Sequence, residues 1–321
     1  MRYALCVMRY ANSPAERSHQ PSVLTKHLTS IRSQLFRDVM DKIILTLLVL
    51  VILGLCNALV AGSFDPSIFW KDGYCVQTTA RTPSHGDTSI SAMMDGNWQE
   101  FPLAAFPDEF MSWNTARRAE YLDIFREMLS KGPNATRQPQ LSGPHNGMVA
   151  TYGEARKDSA FKLNNAVKGM GFCPDEKSVD NLLNLLESNM EAGMEQKLNL
   201  LDSLYQHATE HFSPYALVSL ELYSEPEYNT QTFINQMVNP ACVTVFLDIP
   251  TFKIKQVARL LHPMDPSITD YERKVTRYVN LMHSFFHGAF PRDYIAVIYY
   301  NVEVYDSSPG RKDARGTRLN P

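Results

Sequence analysis

Cysteine is scarce in this chain: five in 321 residues, with no Cys-x-x-Cys spacing. That excludes a small disulfide-stapled scaffold, a thioredoxin-like redox motif and a zinc ribbon. An excess of one charge is missing too. Thirty-one Lys and Arg against 34 Asp and Glu leave a net charge of −3, which argues against a nucleic-acid partner held by bulk electrostatics. There is no Gly-x-Ser-x-Gly elbow and no Walker A loop. Gly169-Met170-Gly171 lacks the third glycine and the preceding strand of a dinucleotide fingerprint. Asp87-Thr88-Ser89 lacks the apolar lead-in and second copy of an aspartic-protease corner, and reads as a solvated loop. No internal repeat is visible. What is present is apolar material: 44% hydrophobic residues against 20% charged. That is enough for one large domain or two modest ones, and too much for a disordered chain.

The dominant feature is the run Ile43–Ala61, IILTLLVLVILGLCNALVA, which carries no charge. A bilayer core takes roughly 20 apolar residues of helix, and buried helices of globular domains ordinarily keep a polar face. Two readings follow. With Met1 as the start, the run is a transmembrane signal anchor, partnered with the membrane through residues 43–61. The flank then holds Arg2, Arg9, Arg17, Lys26, Arg32, Arg37 and Lys42 against Glu16, Asp38 and Asp41, which orients the N-terminus to the cytosol. With Met40 as the start, Met-Asp-Lys is a short n-region, the run is a signal-peptide core, and Ala58, Ala61 and Gly62 offer cleavage sites. Both readings send residues 63–321 into the secretory pathway. The expected organisation is therefore a flank over 1–42 (cytosolic, or an extension of the gene model), the apolar segment over 43–62, an exported domain over 63–306, and a disordered basic tail over 307–321.

Beyond residue 42 the chain keeps 24 basic and 31 acidic side chains, a balance of −7. Three cysteines remain for the exported part, Cys75, Cys173 and Cys242, and an oxidising compartment favours one disulfide among them with one thiol left over. Asn134-Ala135-Thr136 is a glycosylation sequon within KGPNATRQPQLSGPHNG, a Pro, Gly and Asn-rich stretch that reads as a surface loop.

Helical periodicity is clear over 115–130, where Tyr121, Leu122, Phe125, Met128 and Leu129 recur at helical spacing. It is strongest over 177–211, one long helix or two with a break near Gly193, started by Pro174-Asp175 and ended by Pro214. Further helices are expected over Ser159–Lys168, over Lys253–Leu261, and after Asp265-Pro266-Ser267, where Thr269 and Glu272 stand in capping-box spacing. Strands are expected at Tyr215–Tyr223, Ala241–Ile249 and most clearly at 294–304, YIAVIYYNVEV. Residues 63–112 read as an irregular, aromatic-rich wrap. The fold class expected is thus α+β: a predominantly helical exported domain with a small β-sheet, preceded by the hydrophobic signal or anchor segment.

Two histidine pairs stand at i, i+4: His207/His211 and His283/His287. On a helix that spacing sets both imidazoles on one face, where they can share a metal. His207-Ala-Thr-Glu210-His211 matches the H-x-x-E-H pattern of inverzincin metalloproteases, in which the two histidines bind zinc and the glutamate activates water. The match covers five residues and no third ligand can be picked. By face geometry His207 and His211 lie roughly 110° and 70° from the centre of their helix's apolar stripe, so a helix C-terminus carrying two cationic side chains is the simpler account. The leading expectation is an exported glycoprotein that binds or structures an extracellular or lumenal partner, with no cofactor. The alternatives are a zinc-dependent hydrolase with Glu210 catalytic and His207 and His211 as ligands, and a cell-surface receptor using the aromatic segment 98–113.

Overall fold

The computed structural model describes residues 65–84, 86–310 and 316–320, together with Lys42 and Thr46. The chain divides into two units, Met1–Gly62 and Ser63–Pro321. Of the apolar run Ile43–Ala61 only Thr46 falls among the described residues. It is helical, and its hydroxyl donates to the Lys42 carbonyl. The signal or anchor expectation otherwise lies outside them. No helix among the described residues is long and apolar enough to cross a membrane.

The second unit opens with a short hairpin of β1 (Trp70–Lys71) and β2 (Tyr74–Cys75). A three-stranded sheet of β3 (Ala80–Arg81), β4 (Ser89–Met94) and β5 (Asn97–Pro102) follows, then helix α1 (Asp108–Lys131). The large sheet comprises β6 (Asn146–Tyr152), β7 (Leu163–Gly169), β8 (Gly171–Pro174), β9 (Phe212–Glu221), β10 (Ala241–Phe246), β11 (Phe252–Leu261), β12 (Ile295–Asp306) and β13 (Thr317–Arg318). Helices α2 (Val179–Ser188), α3 (Met194–Gln206) and α4 (Ala208–His211) lie between β8 and β9, α5 (Gln231–Val238) precedes β10, and α6 (Asp270–His287) separates β11 from β12.

The strand order is β7-β6-β10-β11-β12-β9-β8, with β13 on β12, and every pairing is antiparallel. The two ends of that path, β7 and β8, are separated in sequence by Met170 alone. One bent strand therefore pairs with β6 through Asn146↔Gly169 and with β9 through Gly171↔Val218, and the sheet closes on itself as a barrel. Alternate residues point inward. Val149 lies opposite Thr244, Thr244 opposite Ile254 and Ile254 opposite Val304, all fully buried. Gly147 is required at its place: a Cβ there would stand 2.8 Å from Thr244 Cγ2 and 2.9 Å from Met170 Cγ, so the missing side chain is what lets Met170 fill the interior.

Both barrel ends are plugged. At one, the Thr230 hydroxyl caps α5 by accepting from Phe233 N, and Phe233, Ile234, Asn235, Gln236 and Met237 are all buried. Gly153 admits this helix, since a Cβ there would lie 2.7 Å from Asn235 Cα and 2.9 Å from its carbonyl oxygen. At the other end Phe110 of α1 meets Phe246 and Phe252, with ring centroids 5.8 and 5.2 Å away, and Phe106 stacks on Phe110 at 4.7 Å. Outside, α6 packs on the barrel and α2 on α6 through Val179, Leu182, Leu186, Val275 and Val279. The α6 capping box forms as its spacing predicts, and the Glu272 side chain also pairs with Arg259 at 2.8 Å.

The predominantly helical fold class is overturned. The domain is organised by an eight-stranded antiparallel sheet, and the strand expected over 294–304 is one of its central members. Residues 253–261 form β11 rather than a helix. From Gln256 to Leu261 the strand is buried on both faces, so no alternation marks it. Most of Ser159–Lys168 is β7, whose polar or small Asn164, Ala166 and Lys168 face inward while Leu163 and Val167 face out. β6 starts at the end of the stretch read as a loop. The aromatic-rich segment is only partly irregular. It supplies β1 to β5, and Gln77 locks it to the barrel by donating to Gln236 O and Ala258 O and accepting from Leu260 N. The tail expected to be disordered contributes β13, and Asn320 Oδ1 accepts from Val304 N. The helices over 115–130 and 269–287 and the break at Gly193 stand where their spacing puts them.

Two outcomes follow for stability. Gly153→Ala should cost about 1–3 kcal/mol, because the new methyl meets backbone of α5 that has no rotamer to yield; a shift in urea midpoint at unchanged slope reads it. His262 sits edge-on to Trp70 at 5.8 Å, and its Nδ1 accepts from Met264 N. Burial, aided by the Arg292 charge and opposed by Asp265, holds its pKa down to about 4. The unfolded chain then takes up this proton first, near pH 6.5. The stabilisation is complete above that pH and is lost as pH falls toward 4. Wild-type Tm should drop further than that of His262→Asn between those two pH values.

Candidate functional site

The interior of the barrel is a packed core carrying one internal polar chain. Thr244 Oγ1 donates to Gln256 Oε1 at 2.5 Å, and Gln256 Nε2 donates to Asn301 Oδ1 at 2.9 Å. Gln236 Nε2 donates to the Tyr299 hydroxyl at 3.3 Å. At the seam Lys168 Nζ meets Glu221 Oε2 at 2.5 Å, and Glu221 Oε1 accepts from the hydroxyls of Ser224 and Thr230. Arg118, buried, donates to Asn114 Oδ1, the Tyr205 hydroxyl, Pro144 O and Met170 O at 2.7 to 3.2 Å. Most of these donors and acceptors are spent on each other and on backbone, which ties the fold together, while Asn114 Nδ2, Gln236 Oε1 and Asn301 Nδ2 are buried with no partner among the described residues.

The expected metal motif is divided by a change of backbone. Helix α3 ends at Gln206, and His207 takes φ −110°, ψ 32° before α4 begins at Ala208. His207 and His211 thus do not share a continuous helix. His207 Nδ1 lies 2.9 Å from Ser203 O, Glu210 is exposed, and the ring of His211 sits beside Phe212. His283 and His287 do lie on one helix, in the last turns of α6 with ring centroids 4.7 Å apart, and His283 stacks on Phe290. Among the described residues no group of three or more His, Cys, Asp or Glu is arranged to hold a metal ion.

The structure joins none of the three cysteines, and all are buried thiols in separate surroundings. Cys173 lies 3.4 Å from the Tyr271 hydroxyl, and Cys242 points inward at 3.7 Å from Gln256 O. Burial pushes Cys75 and Cys173 up to about 12 and Cys242 higher, which keeps all three as thiols at neutral pH and poor nucleophiles. Of the aromatic segment 98–113, Phe106, Phe110 and Trp113 are core residues, while Trp98 lies half-exposed beneath Arg81.

Two of the shallow grooves on the described surface lie beside helices. One, of about 430 Å³, lies between α1 and the α3–α4 break, lined by Met111, Thr115, Tyr205 and Thr209. The other, of about 350 Å³, runs past Thr82, Glu176, Tyr271 and Lys274. There Lys274 is paired with Asp180 and Asp270, and the Tyr271 hydroxyl donates to Pro174 O.

The feature left unexplained is an outward face. On β6, β7 and β10 the outward residues are mostly apolar, with Asn165 between Leu163 and Val167 and with Lys253 and Lys255 of β11 bordering the rows opposite Val245 and Val243. Val167 lies opposite Met148 and Met148 opposite Val245; Ala150 lies opposite Val243 and Tyr152 opposite Leu163. No helix of the described residues covers these rows. Val167 is 65% exposed, Leu163 54%, Tyr152 57% and the adjoining Phe161 70%. Large side chains contiguous on one face are the unusual case, since scattered ones are normal on any surface. Sequence reasoning missed this surface because Ser159–Lys168 was read at helical period. Alternation by two over Phe161, Leu163, Asn165 and Val167 was the available signal.

Comparison with known proteins gives no family: no family model, curated protein or solved structure matches the chain.

Asn134 ends the turn that follows α1 and is exposed, while Thr136 N and Oγ1 both donate to Glu127 Oε1. Chain expressed in secretory cells should fall in apparent mass on peptide-N-glycosidase treatment, and Asn134→Gln should abolish the change. A treated wild-type band that does not move would remove the glycosylation expectation.

Proposed function

We propose that residues 63 onward form an exported interaction module, whose contact surface is the outward face of β6, β7 and β10. Export rests on the charge-free run Ile43–Ala61, which also tethers the module to the membrane if it is not cleaved. The observation that carries the reading is the uncovered apolar row of Tyr152, Leu163 and Val167, adjoined by Phe161. Patches of this kind are characteristic of protein interfaces. A partner rather than a small molecule is favoured because the barrel is filled and both ends are plugged by α5 and the Phe110 cluster. The hydrolase alternative needs both imidazoles and Glu210 converging on one ion, and the break at His207 works against that. Stoichiometric zinc in the purified chain, lost in His207→Ala, would revive it.

The test is site-directed photocrosslinking in secreting cells. A photoreactive phenylalanine analogue at 163 or 167 should give discrete crosslinked species, and the same analogue at 99, on the exposed strand β5, should not. Silence at both 163 and 167 would remove the reading.

A further inference from the structure

We infer that the occupant of this face is a second copy of the chain, docked about a two-fold axis; this rests on the interaction-module reading above. Three observations on the face select that partner.

The first is charge. The outward positions of β7 are Leu163, Asn165, Val167 and Gly169, none of them charged, and the strand's one ionisable residue, Lys168, is turned inward to Glu221. Exposed faces of proteins that stay alone rarely keep several large apolar side chains together without charges among them. The exported part has a net balance of −7, so two copies repel unless they meet where charge is absent or balanced. The centre of this face is such a place, and at its border on β11 Lys255 is balanced by Glu303 while Lys253 lies over the Tyr305 ring.

The second is self-complementarity at the rim. Beside Tyr152 and Leu163 the β6–β7 connection presents Glu154 and Lys162, 3.1 Å apart and each partly exposed. In an isologous contact each residue meets its counterpart's neighbour. Glu154 and Lys162 neutralise each other within each copy, so a two-fold contact brings together two rims that each carry a balanced pair rather than an excess of one charge.

The third is area. Tyr152 and Phe161 each leave roughly 100 Å² of ring surface to water. With Leu163, Val167 and the smaller exposed parts of Met148, Ala150, Val243 and Val245 the face spans roughly several hundred Å². A standard interface takes about 800 Å² from each partner, so one such face met by its equal lies at the lower end of that range and makes a modest, concentration-dependent dimer.

The experiment is sedimentation equilibrium of the mature chain purified from secreting cells, run beside the double variant Leu163→Lys/Val167→Lys and beside Asn165→Lys. Wild type should sediment as a dimer at about 10 μM. The double variant should sediment as a monomer with unchanged circular dichroism and Tm, because both positions already face water. Asn165→Lys, which removes no apolar atom, should weaken dimerisation at least tenfold by placing like charges at the centre. A wild-type monomer, or a dimer that survives both variants, overturns the inference. The crosslinking separates the two claims: a monomer that still crosslinks from 167 to a different protein leaves the interaction module standing and removes only the second copy.

Discussion

The fold depends on one strand serving both ends of its own sheet. Residues 163 to 174 pair with β6 before Met170 and with β9 after it, so closure requires the strand to change neighbours within a single residue. The ion pair of Lys168 and Glu221 spans the seam at that point. Arg118 reaches the same place from the other side, donating to the Met170 carbonyl and binding the loop before β6 through Pro144 O. Buried ion pairs add little net stability against an apolar pair of the same size, but breaking one by removing a single partner costs about 3–5 kcal/mol. Their contribution here is to geometry. A closed sheet has to select one stagger, and a charged pair that is satisfied only when 168 meets 221 selects it.

Much of the chain was legible because its signals are local. The capping box of Thr269 and Glu272, the stop at Gly288, the break at Gly193 and the apolar stripe of Leu182, Leu183 and Leu186 each act within a few residues, and each lies where its spacing puts it. What was illegible is long-range. Strand β11 has an interior face inside the barrel and an exterior face against helices and the N-terminal arm. Its apolar residues run on without period, and such a run cannot be told from a buried helix by pattern alone. Helix α5 is buried nearly all round, its polar side of Thr232, Asn235 and Gln236 included, because it fills the end of a barrel assembled from strands before and after it, and its pattern spans only eight residues. The arm over 65–102 depends on Gln77 meeting backbone some 160 to 180 residues away, a contact no local window contains.

The histidine motif shows the same limit at the level of a site. A spacing of four residues implies a shared face only while the backbone stays helical. At His207 it does not, and Ala208 turns into the core instead. The pattern in the sequence is real, but the geometry that gives it chemical meaning belongs to a helix that ends one residue too soon. The three thiols, each sealed in its own part of the core, likewise act as small apolar fillers, with burial suppressing the thiolate that chemistry would need.

The exposed apolar face follows from the seam itself. In a strand the parity of one residue fixes the side of all the others. Lys168 must face inward to meet Glu221, so Ala166 and Asn164 face inward too, and Asn164 Nδ2 finds Thr232 Oγ1 at 2.9 Å beside α5. Leu163 and Val167 then have nowhere to go but outward. A slip of one residue would bury both and expose the lysine, giving an ordinary soluble surface at the expense of the closing pair. The chain instead keeps polar groups where the barrel is joined and leaves apolar ones in water. That exposure stays unfavourable in an isolated copy, since each buried methylene would contribute about 0.8 kcal/mol if covered. The register that closes the barrel is therefore also what leaves Leu163 and Val167 on the outward face.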